Sequence, residues 1–262
     1  MSEKSETITE IEKIKIPQKI LKQAGQAIEK FEMIQEGDHI LLGLSGGKDS
    51  TLLAHIFKHL QKHSPVKFTF QAVTILYGMG EDFSEQKAHF DAYDIPHEFM
   101  QTEVFDLAKT KMNKDSSFCS FFSRLRRGNL SGAAKKYKCN KIALGHHLDD
   151  AVESLMMSFM YNGILRSMPP KYTTESGDII IRPLAYVRET LISKVAQDNN
   201  IPAAGDEMCP GMIMPGAKMP HARYETKELL RSLEEKNPHM FDSMRKGLGN
   251  IDIESLYTTK EK

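Results

Sequence analysis

Apolar residues in this chain follow two alternating patterns. Short, largely apolar runs predict four β-strands, over residues 40–44, 68–76, 97–101 and 141–144. Between them, apolar positions three and four residues apart predict helices over residues 51–61, 84–92, 120–137 and 149–160. Strands that alternate with helices build parallel sheets covered on both faces. The pattern therefore predicts an α/β fold with a doubly wound parallel sheet.

The flanking segments complete the predicted organisation. Residues 1–36 form an N-terminal helical arm, residues 37–200 the α/β domain, and residues 201–262 a cysteine-containing loop and a helical segment packed on the same domain. Residues 164–178, with two consecutive prolines and a Ser-Gly pair, predict a mobile connection near the binding cleft. Residues 225–236 predict an ordinary amphipathic helix, to which the sequence assigns no chemistry.

The turn after the first predicted strand carries six residues suited to bind an anion: Ser45, Gly46, Gly47, Lys48, Asp49 and Ser50. Glycine lets the backbone approach a ligand because no Cβ intervenes. Successive N–H groups in such a turn form a cationic nest, and the helix N-terminus that follows adds about half a positive charge. The common nucleotide loop GxxxxGK[S/T] does not fit, because Leu42 stands at its first glycine and Asp49 follows the lysine. We predict a phosphate-binding loop of another type.

The composition indicates the size of the core and the cellular compartment of this protein. The 262 residues are 40% hydrophobic, which suffices for one large core. No apolar run reaches about 18 residues, and residues 1–19 mix acids and bases, so we expect no membrane span, no signal peptide and a cytoplasmic protein. Three cysteines, an odd number, argue against a disulfide framework and leave thiols for metal or sulfur chemistry.

The formal net charge is zero, but basic residues are unevenly distributed. Residues 109–141 contain ten basic residues and one acid, Asp115. Lys15, Lys19 and Lys22 recur at i, i+4 and i+7 and would line one side of a helix. Such runs are usually solvated helix faces. Two basic elements that flank a phosphate site also fit a second, phosphate-rich substrate.

A second cluster follows the fourth predicted strand: Gly145, His146, His147, Leu148, Asp149 and Asp150. Because the carboxyl ends of parallel strands meet at one edge of a sheet, this cluster and the phosphate loop should face one cleft. Asp149 and Asp150 either cap a helix N-terminus or hold Mg²⁺, which prefers oxygen ligands. No cysteine or histidine stands at zinc-finger spacing from His146 and His147, so we expect these to position phosphate or substrate.

The three cysteines differ in their surroundings. Cys119 lies just before a predicted helix and close to Arg124, and a helix start and nearby cations favour the thiolate. It is a candidate sulfur carrier or metal ligand, or else a small packing residue. Cys209 lies in a loop rich in Gly, Pro and Met and could meet Cys119 across the cleft. Cys139, just before a strand, is interpreted as structural.

Several segments together resemble one enzyme family. The loop SGGKDS is similar to the signature of the PP-loop ATP pyrophosphatases, which split ATP between its α and β phosphates. In order along the chain, SGGKDS, SRLRRG at residues 123–128, KIALGHH at 141–147, MPPK at 168–171 and RPLAY at 182–186 resemble the tRNA 2-thiocytidine synthetase family. The resemblance runs from about residue 15 to about residue 251. Its most selective parts are SRLRRG, MPPK and RPLAY.

The resemblance implies a mechanism and a set of site residues. ATP would bind on residues 45–50, with Gly145 and His146 nearby, and Lys48 would contact the pyrophosphate. Mg²⁺ would join Asp49, or the pair of carboxylates after the fourth strand, in neutralising the leaving pyrophosphate. The C2 oxygen of a tRNA cytidine would attack the α phosphate, and persulfide or hydrosulfide sulfur would then displace AMP. The tRNA would contact six basic residues: Arg124, Arg126, Arg127, Lys15, Lys19 and Lys22. A sulfur donor such as a cysteine desulfurase, and a homodimer, are also implied.

The chain departs from that family at its iron–sulfur ligands. The family carries Cys-x-x-Cys before SRLRRG and a third cysteine near residues 206–211, which hold a 4Fe-4S cluster. Here Phe122 stands at the second cysteine, so Cys119 and Cys209 alone match the cluster positions. Either these thiols carry sulfur without iron, or a cluster persists with other ligands such as Asp206 or a second subunit, or sulfur transfer is lost.

Two other functions stay open at this level. Lysidine synthesis also adenylates a tRNA cytidine and uses an HHLDD segment, but that class usually carries C-terminal domains for which this chain has no room. A non-catalytic ATP-binding or tRNA-binding regulator is the alternative outside enzymes. The presence of Lys48, Asp49, Asp149 and Asp150 argues against such a regulator.

Overall fold

Six strands form one mixed sheet at the centre of the protein. The computed structural model describes residues 14–78, 80–103, 118–203 and 221–257. The sheet order is β3-β2-β1-β4-β6-β5. All neighbouring strands are parallel except β5 and β6. The strands are β1 His39–Leu44, β2 Thr69–Leu76, β3 His97–Gln101, β4 Lys141–Leu144, β5 Lys171–Thr173 and β6 Ile179–Ile181.

Eight helices and one short 3-10 helix accompany the sheet in the described part of the chain. The helices are α1 Gln18–Lys30, α2 Lys48–His63, α3 Ser84–Ala92, α4 Phe118–Lys136, α5 Leu148–Asn162, α6 Glu189–Asp198, α7 His221–Lys236 and α8 Met240–Gly247, and the 3-10 helix is Ile253–Ser255. Within the described residues, no helix combines the length and the apolar character needed to cross a bilayer. These elements confirm the predicted doubly wound α/β class.

The largest core lies between the sheet and helices α1, α2 and α6. Strand β1 is buried along nearly its whole length, as expected for a central strand covered on both faces. Ile20, Ala24 and Ala27 recur along one face of α1 and are fully buried in the same core. The segment predicted as an N-terminal arm is thus packed on the α/β domain over its described residues. The predicted domain limits remain a prediction.

The connection predicted over residues 164–178 is partly ordered structure. Residues 171–173 form β5, which pairs antiparallel with β6, so the prediction of a mobile connection is wrong for this part. The turn between the two strands contains Gly177 at φ +87°, a left-handed conformation that glycine adopts without a steric penalty. Three-residue strands are too short to show alternation in sequence, which is why the pattern missed this hairpin.

The fold brings the two predicted clusters together. The strand order reverses direction at β1, with β2 on one side and β4 on the other. In the β1–β4 pairing, Gly43 lies opposite Leu144, so both strands end at the same level. A Cβ added to Gly145 would lie 3.0 Å from the backbone nitrogen of Ser50. The phosphate loop and the segment after β4 are therefore in direct contact.

Candidate functional site

The loop between β1 and α2 is held by hydrogen bonds within its own six residues. The backbone N–H of Ser45 donates to Ser50 Oγ at 3.1 Å, and Ser50 Oγ donates to the Gly47 carbonyl at 3.0 Å. The backbone N–H of Gly47 donates to Ser45 Oγ at 3.3 Å. Gly46 has φ +86°, and Gly47, the N-cap of α2, brings no side chain to cap the first-turn N–H groups. This geometry suits an anion at the helix N-terminus.

The loop opens onto a cleft of about 670 Å³. Polar and charged groups from seven parts of the fold line it together with the loop: α4, the segment after β4, α5, β5, the segment after β6, α6 and α7. Its basic lining residues are Lys48, Arg126, Arg127, Arg182, Arg223 and Lys227. Its acidic lining residues are Asp49, Asp150, Glu153 and Glu189. The cleft can therefore bind a polyanion.

Lys48 lies between two carboxylates. Its Nζ is 3.3 Å from Asp49 Oδ1 and 3.3 Å from Glu189 Oε1. The second oxygen of Glu189, Oε2, is 2.8 Å from the Nζ of Lys227. Burial alone would lower the pKa of Lys48, but Asp49 and Glu189 raise it above its usual value. Burial alone would raise the pKa of Glu189, but Lys227 and Lys48 lower it to about 2. Lys48, Glu189 and Lys227 are therefore charged at neutral pH.

Asp49 is the least satisfied carboxylate of the cleft. Its Oδ1 is buried and makes no hydrogen bond, although it lies 3.3 Å from the Lys48 ammonium, which donates to the other oxygen, Oδ2, at 3.5 Å. Burial raises the pKa of Asp49 above its usual value despite the nearby charge of Lys48. A buried carboxylate oxygen that makes no hydrogen bond beside a phosphate loop is available to a further partner.

The two adjacent carboxylates after β4 have different partners. Asp149 accepts hydrogen bonds from Arg188 Nε at 3.1 Å and from the backbone N–H of Glu189 at 2.8 Å, so both oxygens are used inside the protein. Asp150 closes a capping box with His147, accepting from the His147 backbone N–H at 3.0 Å. Its other oxygen lies 2.9 Å from Arg223 Nη2. Asp150 lines the cleft, and Asp149 does not.

The cleft carboxylates offer oxygen ligands for Mg²⁺. Among the described residues, no group of three or more His, Cys, Asp or Glu side chains could hold a metal unaided. Mg²⁺ normally binds through one or two carboxylates plus substrate phosphates and waters. Asp49, whose Oδ1 makes no hydrogen bond, therefore fits this ion when phosphates are bound. Asp150 also lines the cleft, and it can join Asp49 if its Oδ1 exchanges Arg223 for the ion. Asp149 fits it poorly, because it does not line the cleft and both its oxygens accept hydrogen bonds.

Arg182 joins three of the sequence motifs at the cleft wall. Its Nη1 donates to the Pro169 carbonyl at 2.6 Å, and its Nε donates to His146 Nδ1 at 3.4 Å. Burial lowers the pKa of His146 to about 4, so this imidazole is neutral at pH 7. Since Nδ1 accepts a hydrogen bond, Nε2 carries the ring hydrogen. His146 can donate that hydrogen to a ligand oxygen.

Only two of the six predicted tRNA contacts lie at the cleft. Arg126 and Arg127 line the cleft, whereas the neighbouring Arg124 is exposed and is not part of the lining. Lys15, Lys19 and Lys22 are exposed, and none of them lines the cleft. Lys15 precedes α1, which begins after Pro17, so the prediction of one helix through all three lysines is wrong for Lys15. The three lysines are therefore located outside the candidate site itself.

The predicted thiol site lies outside the described residues. Cys119 belongs to α4, but its side chain, like that of Phe122, is not described, and neither is Cys209. Cys139 precedes β4, at the opposite edge of the sheet from the cleft, and packs on an apolar cluster. Burial raises its pKa to about 11, which keeps the thiol protonated. With three cysteines in the chain and Cys139 placed there, one chain lacks the four thiolates that a 4Fe-4S cluster normally takes.

Sequence reasoning missed several residues that complete the cleft. Gln86 of α3 donates to the Gly46 carbonyl and supports the loop. Glu189, Arg223 and Lys227 come from segments that carried no chemical prediction. Arg223 and Lys227 lie four residues apart on α7, of which only residues 225–236 were predicted, as an ordinary amphipathic helix. That spacing was the available signal, but it does not reveal which surface the basic face meets.

The chain matches known proteins over most of its length. A family model described as the PP-loop domain matches residues 17–208. The tRNA-cytidine(32) 2-sulfurtransferase of Syntrophotalea carbinolica is 38% identical over 240 residues, covering 91% of this chain and 91% of that protein. The protein of the same name from Geotalea uraniireducens is 36% identical over 248 residues, covering 93% and 96%.

A solved structure shares the fold. The U34-tRNA thiolase NcsA of Methanococcus maripaludis, determined with its 4Fe-4S cluster, superimposes with a TM-score of 0.66. The alignment covers 89% of this chain and 80% of that one, at 20% sequence identity. At this level of identity, the likeness establishes the common architecture.

Proposed function

We propose that this chain, which belongs to the tRNA-cytidine(32) 2-sulfurtransferase family of PP-loop proteins, adenylates a tRNA cytidine and replaces its C2 oxygen with sulfur. The observation that carries the proposal is the phosphate loop at one end of a cleft lined by six basic side chains. A nucleotide triphosphate and a polynucleotide are the two polyanions that such a cleft would hold together.

The first step transfers AMP to the base. ATP places its phosphates on the loop of residues 45–50, and the cytidine C2 oxygen attacks the α phosphorus. The new O–P bond forms as the bond to the β phosphate breaks, and pyrophosphate leaves. Lys48 neutralises the negative charge that grows on pyrophosphate, and His146 donates its Nε2 hydrogen to a phosphate oxygen. Mg²⁺, held by Asp49 and Asp150, would supply further charge neutralisation.

The second step exchanges oxygen for sulfur. Hydrosulfide, or sulfur delivered at the same oxidation level, attacks C2, and the C2–O bond breaks. AMP leaves with the original oxygen, the sulfur loses its proton, and 2-thiocytidine results. When a cysteine desulfurase is the donor, Cys119 carries the sulfur as a persulfide whose outer sulfur attacks C2. The Cys209 thiolate then cleaves the S–S bond and frees the thiolated base, and a cellular dithiol reduces the Cys119–Cys209 disulfide that results. No step in this scheme runs through an iron–sulfur cluster.

The tRNA must present its cytidine to the cleft. The base has to leave its loop stack to reach the loop of residues 45–50, as enzymes that act on a base generally require. Arg126 and Arg127 are positioned to bind phosphates beside the target base. Arg124 and the lysines at positions 15, 19 and 22 would contact more distant phosphates. We also propose that the enzyme is cytoplasmic and, as the family resemblance implies, a homodimer.

The test is a nucleoside mass-spectrometric profile of tRNA from cells with and without this gene. We expect 2-thiocytidine to disappear without the gene and to return with the intact copy, but not with a Lys48→Met copy. Purified protein should release AMP and pyrophosphate from ATP only with unmodified tRNA. If 2-thiocytidine persists and lysidine disappears instead, the cleft serves the other cytidine adenylation. If no nucleoside changes and ATP is not cleaved, the protein is not this enzyme.

A further inference from the structure

We propose that Lys227 of α7 is a second pyrophosphate-binding cation and that the Glu189 carboxylate occupies the place of a phosphate group until ATP binds. This inference rests on the proposed ATP chemistry of the cleft. It assigns roles to two residues, from α6 and α7, that stand outside the phosphate loop.

One carboxylate bridges two ammonium groups in this cleft. Glu189 Oε1 lies 3.3 Å from Lys48 Nζ, and Glu189 Oε2 lies 2.8 Å from Lys227 Nζ. Lys48 follows the glycine pair of the phosphate loop directly, so Glu189 places an anion next to the anion-binding turn. The oxygens of pyrophosphate can accept hydrogen bonds from both ammonium groups as the Glu189 oxygens do.

The exposure of these side chains leaves them within reach of a ligand. The side chains of Lys48, Glu189 and Lys227 are 29%, 23% and 44% exposed, and all three line the cleft. The low pKa of Glu189 keeps it ionised throughout the neutral range. The fixed negative charge of Glu189 repels phosphate. Binding therefore requires Lys48 and Lys227 to turn from Glu189 toward the ligand.

The Lys227 pair differs from an ordinary helix-surface ion pair. Arg231, one turn further along α7, pairs with Glu228 of the same helix at 2.6 Å, and both side chains are well exposed. Lys227 instead reaches a residue 38 positions away in sequence, on another helix. Four residues before it, Arg223 crosses to Asp150 and Glu153 of α5. The face of α7 that carries Arg223 and Lys227 is thus directed at the nucleotide cleft.

Ligands with and without β- and γ-phosphates should differ in how strongly their binding depends on Lys227. When a triphosphate enters, Lys48 and Lys227 exchange the Glu189 oxygens for β- and γ-phosphate oxygens. AMP has no such phosphates, so Lys227 contributes nothing to its binding. Pyrophosphate is the smallest probe that carries the groups that Lys227 should recognise.

The experiment measures dissociation constants for inorganic pyrophosphate and for AMP by calorimetry on the full chain, without tRNA or sulfur donor. Lys227→Met keeps the apolar stem and should weaken pyrophosphate binding about 10-fold or more, with AMP binding changed less than about twofold. Lys227→Arg should restore most of the affinity. Arg231→Met, on the same helix, is the matched control and should bind both ligands like the parent protein.

Glu189→Gln tests the second half of the proposal. It removes the competing anion and should tighten pyrophosphate binding by about threefold to tenfold. Weaker binding would overturn the placeholder role of Glu189. Unchanged pyrophosphate affinity in Lys227→Met, or an equal loss for pyrophosphate and AMP, would overturn the role of Lys227. Thermal unfolding of each variant shows whether a loss of pyrophosphate affinity comes from misfolding. If Lys227→Met misfolds, the pyrophosphate affinity of Lys227→Arg decides whether Lys227 binds pyrophosphate.

These outcomes are independent of the thiolation assay. Discrimination between pyrophosphate and AMP by Lys227, in a protein that makes no 2-thiocytidine, would retain this inference and reject the proposed tRNA reaction. If the protein makes 2-thiocytidine but Lys227→Met binds pyrophosphate like the parent protein, the proposed tRNA reaction is retained and the inference about Lys227 is rejected.

Discussion

Two Lys–Asp pairs lie at opposite ends of the central strands. One pair lies where β1 and β4 begin, and the other follows the end of β1. At the start of the strands, Lys141 Nζ lies 2.6 Å from Asp38 Oδ2, and the two side chains are 3% and 5% exposed. The same Asp38 oxygen accepts the Gln35 backbone N–H, and the other accepts from Asn140. Every oxygen of this carboxylate has a partner inside the protein.

After β1, the pair of Lys48 and Asp49 has looser geometry. The shortest Nζ–O distance is 3.3 Å, the side chains are 29% and 28% exposed, and Asp49 Oδ1 has no hydrogen bond. The pKa values differ in direction. Burial alone would raise the pKa of Asp38, but Lys141 and the other donors lower it, whereas burial raises the pKa of Asp49.

The difference indicates which pair stabilises the fold and which serves a ligand. A buried carboxylate with all its hydrogen bonds made gains nothing from a further partner. A buried carboxylate with an orphaned oxygen is costly in the free protein and improves when a ligand or ion arrives. Four experiments test this division, in order of decreasing effect.

The largest effect is expected from breaking the satisfied pair. Lys141→Met leaves the Asp38 charge buried without its cation and should lower the free energy of unfolding by about 3–5 kcal/mol. Urea denaturation measures this loss. Lys62→Met, at an exposed position on α2, is the control and should change it by less than about 0.5 kcal/mol. A loss below about 1 kcal/mol for Lys141→Met would remove the structural role of the pair.

Breaking the second pair should affect turnover instead of stability. Lys48→Met should reduce tRNA-dependent AMP release by about 100-fold to 1,000-fold, because a charge that stabilises the leaving pyrophosphate is gone. The free energy of unfolding should change by no more than about 1 kcal/mol, since partly exposed ion pairs contribute little. Steady-state kinetics beside urea denaturation provides both numbers. A variant that unfolds easily but turns over normally when folded would reverse the comparison.

A third variant separates the loops at the carboxyl edge. Gly145→Ala places a Cβ 3.0 Å from the backbone N and Cα of Ser50, so the loops must move apart. We expect ATP affinity to fall about 10-fold, with a loss of about 1–3 kcal/mol in unfolding free energy. Gly132→Ala on α4 meets nothing within 4 Å and should instead stabilise the protein by up to about 1 kcal/mol. Equal behaviour of the two variants would show that the loops do not need this close contact.

The smallest effect is the order in which the two carboxylates titrate. Carboxyl ¹³C shifts followed by NMR should give a midpoint for Asp38 below 3.8 and one for Asp49 above it. Because the folded-state pKa of Asp38 is depressed, its stabilisation is complete above the unfolded value and is lost as pH falls through the folded value. The stability difference between the parent and Asp38→Asn should therefore shrink only in strong acid. The reverse order of midpoints would contradict the comparison.

Local sequence pattern predicted most of the architecture. The strands at residues 97–101 and 141–144 were predicted with the bounds that the structure has, and the four predicted helices end within three residues of the observed limits. Three hydrogen bonds of the phosphate loop also run among its own six residues, so much of its shape is local, and Gln86 of α3 supports it from outside. The hairpin of β5 and β6 was missed because its short strands depend on the neighbouring β4.

The sequence by itself determined most of the elements, the phosphate loop and the family, because each follows from residues adjacent in the chain. Only the tertiary structure decided which charges meet. Lys227 lies opposite Glu189 because Leu230 of α7 packs with Leu148 and Val152 of α5 in one apolar cluster. Ion pairing requires approach within a few ångströms, and helix periodicity identifies a basic face without identifying its partner. The packing of α7 therefore completes the cleft that the loop begins.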